Sequence, residues 1–143
     1  MKKILLTTFL LIFSSLQIFA NDFNANYDAA LKFKKEANYQ EAVRYFLKAL
    51  KTKEDDSEVA QSLCFEIADC FLKQGNERQA VKFLKVAVRN YGATLTDIEQ
   101  NKVLKKEFLS NAVVLLESDY NELRRTYLLK TNFSERKKYA DLD

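Results

Sequence analysis

The chain has 143 residues, enough for one domain, with 23 Lys and Arg against 20 Asp and Glu and no histidine. Losing histidine removes the commonest general base and the commonest metal ligand. Cysteine pairs at zinc spacing, glycine-rich phosphate loops and a serine nucleophile elbow are also missing from the sequence, so no catalytic, cofactor-binding or metal-ligating residue is assigned and an enzyme is not expected.

Residues 1–20 read MKKILLTTFLLIFSSLQIFA. Lys2 and Lys3 make a positive start, an apolar run covers 4–13, and Ser14, Ser15 and Gln17 relax the hydrophobicity ahead of the small Ala20. That is the layout of a secretory signal peptide, with cleavage expected after Ala20, although Ile18 stands where a second small residue is usual. The alternative, an uncleaved anchor, needs about 20 predominantly apolar residues, and this core is shorter and interrupted. No later stretch could span a bilayer, and no cysteine near the cleavage region could carry a lipid. Removing 1–20 takes away Lys2 and Lys3 and no acid, leaving a net charge of +1. That near-balance argues against a nucleic-acid partner, which requires a strong basic patch.

Beyond the signal, apolar residues recur at three- and four-residue spacing almost throughout, which is the helical period. There is no proline, and the only glycines are Gly75 and Gly92. The spacing predicts helices over 24–36 and 39–53, a third that follows the polar connection 54–57 and runs to about Gln74, and a fourth over 77–90, with further breaks at Ala37-Asn38 and Gly75-Asn76. Asp55 and Glu58 have the spacing of a capping box for the third helix, and Gly92 suits the left-handed cap of the fourth. A second box, Thr96 and Glu99, predicts a helix to about Glu117. Ser118-Asp119 then predicts a fresh start over 120–130, and Asn132 or Ser134 a last short helix, with a polar tail that frays from 137.

Two segments repeat, residues 23–54 and 61–92. With Ala42 set on Ala80, Ala30 falls on Ala68, Phe33 on Phe71, Phe46 on Leu84 and Ala49 on Ala87. Small residues at the shared positions let helices approach to about 8–10 Å, and the large ones fill the space beside them. In copy two, Cys64, Ile67, Ala68 and Phe71, then Ala80, Leu84 and Ala87, stand in the large and small order of a tetratricopeptide repeat. In copy one Asn26 is a poor residue at the first large position. The spacing is 38 residues, not 34, and the closing proline is absent. This longer form is similar in style to the repeats of bacterial envelope proteins, such as the periplasmic Tol-Pal-associated coordinator family and the outer-membrane assembly lipoproteins.

The resemblance implies an all-α fold of antiparallel helix pairs, stacked as a short right-handed solenoid over residues 21–92. Residues 93–143 are either a degenerate third repeat or C-terminal capping helices. It also implies a protein or peptide partner in the cell envelope, held in a groove lined by the first helix of each repeat, and a periplasmic adaptor or scaffold. Self-association as a structural envelope protein is the alternative. Carried over residue by residue, the groove positions are Tyr27, Asp28, Leu31, Lys34 and Lys35 in copy one and Phe65, Glu66, Asp69, Leu72 and Lys73 in copy two. Phe65 and Leu72 could instead pack against the C-terminal helices. A clamp for a terminal carboxylate is disfavoured, since Glu66 and Asp69 would repel it. Cys64 and Cys70, six apart on one helix, sit about 9 Å apart, too far for a disulfide with each other. They are either small core residues or the source of an intermolecular bridge.

Overall fold

The computed structural model describes residues 22–140, with side chains to Asn132. The expected signal peptide over 1–20 and the tail at 141–143 lie outside the described residues. Among those described, the fold is all-α: α1 (Phe23–Lys35), α2 (Tyr39–Lys51), α3 (Ser57–Lys73), α4 (Glu77–Tyr91), α5 (Leu95–Gln100) and α6 (Lys106–Ala140). None is long and apolar enough to cross a membrane.

The first four helices pack in chain order, each on the next. The 38-residue repeat is reproduced in three dimensions. Phe33 of α1 stacks on Tyr45 of α2 at 5.4 Å, and their counterparts Phe71 and Phe83 stack at 5.7 Å, both with rings 24° apart. Ala30, Ala42, Ala49, Ala68, Ala80 and Ala87 are all fully buried, as are Phe46 and Leu84. The corners match as well. Asn38 and Asn76 accept hydrogen bonds from Glu41 and Gln79 and cap α2 and α4, each cap contributing about 1 kcal/mol. Their own N–H groups donate back to the carbonyls of Phe33 and Phe71 at 2.9 and 2.8 Å, closing the end of the preceding helix. The residue before each Asn is left-handed: Gly75 at φ 73° in copy two, but Ala37 at φ 58° in copy one.

Asn26, at the poor position, is buried, and its side-chain amide donates to the Asp22 carbonyl at 2.9 Å. The polar group is thereby satisfied, which removes most of its burial cost. The additional length of the repeat sits in the α2–α3 connection and the start of α3, which has 17 residues against 13 in α1.

Three sequence expectations move. The cap of α3 is Asp56, which accepts from Val59 N–H at 3.2 Å; a turn closed by Asp56 N–H to the Lys53 carbonyl carries Asp55 outside the helix. The next capping box is Thr94 with Asp97, at 2.7 and 3.1 Å, because Gly92 turns left-handed and Thr94 is already extended. The helix that follows is short. Asn101 accepts from the N–H groups of both Val103 and Leu104, so its side chain competes with the helix and breaks it.

Beyond that break, α6 runs 35 residues without interruption. Ser118 and Asp119, expected to start a new helix, lie inside this one instead. Ser118 donates to the Leu115 carbonyl at 3.3 Å, and Asp119 forms an ion pair with Lys85 of α4. The helix also continues through Asn132 and Ser134 and past residue 137, where fraying was expected.

α6 lies along α4, and the two run parallel: Lys85 meets Asp119, and further on Gly92 meets Arg124 and Tyr127. Arg124 donates to the Gly92 carbonyl, which the end of α4 leaves without a helical partner. The buried face of α6 is Leu109, Ala112, Val113 and Leu116. α5 and the bend after it return the chain to the start of α4, so α6 crosses the second repeat in the same sense as α4.

Candidate functional site

The first helices of the two repeats carry the predicted groove positions, and the structure brings four of them together. Lys34 of α1 reaches α3, placing its Nζ 2.6 Å from Glu66 Oε2 and 2.6 Å from Asp69 Oδ2. Lys73, one turn beyond Asp69, adds a second cation at 3.1 Å. The Asp69 side chain is only 6% exposed and the other two members of the Lys34 trio under 20%. Burial works to lower the Lys34 ammonium, but its hydrogen bonds to Asp69 and Glu66 outweigh that and hold it above its ordinary value. The four charges cancel. The cluster is a bolt between repeats, and it cannot offer a net charge to a ligand without breaking.

The aromatic positions divide. Phe65 is buried in the core and presents nothing to a partner. Tyr27 is half-buried, stacked on Phe23 at 5.6 Å and edge-on to Phe46 at 5.9 Å. Burial, and then the Glu66 carboxylate, raise its phenol above the ordinary range. Leu72 is half-buried and lines a small cleft that Phe108 and Asn111 of α6 also line. Asp28, Leu31, Lys35 and Lys73 remain exposed. The surface left open on α1 and α3 is thus narrower than the repeat pattern implies.

Both cysteines are free and fully buried. Burial pushes the Cys64 thiol up to about 12 and the Cys70 thiol up to about 11, so both stay protonated and unreactive at neutral pH. They are core residues, as one of the two sequence readings had it.

Sequence reasoning missed a second surface. α4 and α6 leave an open groove of about 1160 Å³ between them. Val81, Phe108, Ala112 and Leu115 line it, Arg78 and Lys82 stand on its α4 lip, and Asn111 and Ser118 stand on its α6 lip. Leu115 is 57% exposed, an unusual state for a leucine beside an apolar floor. The signal for this groove was hidden because it depends on α6 running along α4, which follows from the break at Asn101.

No family model matches the chain, and no curated protein or solved structure matches it.

Proposed function

We propose that the chain is an exported helical-repeat module of the tetratricopeptide kind, acting as an adaptor or scaffold that binds a protein partner in a bacterial cell envelope. The observation that carries this reading is the 38-residue repeat, in which core alanines, corner caps and the aromatic stack recur at matched positions. Stacked helix pairs of this kind expose extended faces, and such faces are what repeat proteins use for binding. Export rests on the layout of residues 1–20, and a periplasmic location on the style of the repeat.

The test is photocrosslinking in the native envelope, with the crosslinking residue placed in turn at Leu31, Leu72 and Leu115. Crosslinks from at least one site to one dominant envelope protein support the reading. Their absence from all three sites overturns it.

A second reading is self-association as a structural envelope protein. It is favoured by the apolar residues Val114, Leu115, Leu128 and Leu129, which are all exposed on α6. Light scattering over a range of concentrations decides it, since a strictly monomeric protein excludes it.

A further inference from the structure

We infer that the groove between α4 and α6 takes an acidic amphipathic helix, about three turns long, from a partner protein. The inference rests on the interaction-module reading and names the surface and the chemistry of its ligand.

The shape comes first. The walls are two parallel helices, and the α6 wall runs from Phe108 to Ser118. At 1.5 Å per residue that is about 15 Å, room for roughly ten residues of a third helix. The floor is apolar at Val81, Phe108 and Ala112, with Leu115 exposed beside it, which suits apolar anchors one turn apart on an amphipathic ligand.

The charge then selects the ligand. Arg78 and Lys82 lie one helical turn apart on the α4 lip, both exposed, and neither forms an ion pair among the described residues. Lys85, the third cation of the lining, is held by Asp119 and closes the far end. Glu77 is the only carboxylate in the lining among the described residues, and it sits in the first turn of α4, where the positive end of the helix offsets it. The opposite lip is neutral, with Asn111 and Ser118. A ligand helix with carboxylates along one flank would meet Arg78 and Lys82, and one with lysines would be repelled. The chain's own first 20 residues are apolar but carry Lys2 and Lys3 and no acid, so they have the wrong charge for this rim.

The experiment uses the purified full chain and two fluorescein-labelled synthetic helices. Both carry leucines at helical spacing along one face. One has Glu on the flanks and the other has Lys. Affinities are measured by fluorescence anisotropy at about 0.15 M salt, where only charges within about 8 Å act strongly. The acidic helix should bind at least about tenfold more tightly than the basic one. Arg78→Glu with Lys82→Glu should reverse the preference, and Leu115→Asp should abolish binding of both. Tyr27→Ala with Leu31→Ala should change neither affinity. Circular dichroism melts establish that each variant folds.

Equal affinity for the two helices, no binding by either, or a preference untouched by the charge reversal would overturn the inference. So would a concentration-dependent dimer dissolved by Leu115→Asp, which would give the groove to a second copy of the chain. Partner crosslinks persisting at Leu31 or Leu72 after any of these results would leave the interaction-module reading standing.

Discussion

Replacing Gly92 with alanine should separate two costs that the structure places on one residue. Gly92 is left-handed at φ 74°, and so is Gly75 at φ 73°. A side chain in that conformation costs about 1–2 kcal/mol. At Gly75 nothing lies within 4 Å of an added Cβ, so Gly75→Ala measures the backbone cost alone. At Gly92 the same Cβ would lie 2.9 Å from the Tyr127 hydroxyl oxygen and closer still to its ring carbons. The ring must move, although Arg124 lies over it at 5.5 Å and is itself anchored to the Gly92 carbonyl. Overpacking of this kind adds about 1–3 kcal/mol. Gly92→Ala should therefore cost about 2–5 kcal/mol, against about 1–2 for Gly75→Ala. The assay is urea unfolding followed by far-ultraviolet circular dichroism, comparing midpoints at constant slope. In a Tyr127→Ala background the excess at Gly92 should vanish, a coupling that the double-mutant cycle reads directly. Equal costs at the two glycines, or an excess that survives Tyr127→Ala, would refute the placement of α6 on the end of α4.

Three other outcomes are expected. Ala37→Gly should stabilise the protein by about 0.5–1 kcal/mol, because it relieves the left-handed alanine in copy one as Gly75 already does in copy two; a thermal melt that shifts downward would contradict this. Lys34→Ala should destabilise by about 1–3 kcal/mol, discounted for residual exposure, since it leaves Glu66 and Asp69 facing each other without their shared cation. A loss below about 0.5 kcal/mol in urea unfolding would show that the bolt between repeats is ornamental. Stability should also fall as the solution turns alkaline. In the unfolded chain the thiols ionise near pH 9.0, whereas in the fold they stay neutral up to about 12 for Cys64 and about 11 for Cys70. Their contribution is complete below pH 9.0 and is lost as pH rises toward the folded values, at about 1.4 kcal/mol per pH unit for each thiol. As pH rises past 9.0, the fall should be shallower in Cys64→Ala with Cys70→Ala, whose tyrosines are those of the parent protein; an unchanged slope would count against buried thiols.

The repeat core was legible because it depends on local order. Ala42 and Ala80, or Phe46 and Leu84, announce their positions by size and spacing, and each is buried where the pattern puts it. Gly92 was legible for a similar reason, since few residues tolerate its backbone conformation. The caps were less so. Asp55 and Asp56 are chemically equivalent as caps, and the turn back to Lys53 chooses between them. The groove positions were legible as a face but not as a free surface. That Lys34 would be consumed by Glu66 and Asp69 requires knowing that α1 and α3 lie side by side.

Helical class, the two-copy register and the core alanines are written in the order of residues, because side-chain size and the helical period act over a few positions. The fate of Ser118 and Asp119 is not. Their side chains can cap a new helix or bond outward from a continuing one at similar local cost. Lys85, supplied from 34 positions away, pairs with the Asp119 carboxylate, which therefore caps no new helix. The run of α6 along α4 and the groove between them are products of tertiary packing, because they join Lys85 to Asp119 and Gly92 to Arg124 across 34 and 32 positions, beyond the reach of the helical period.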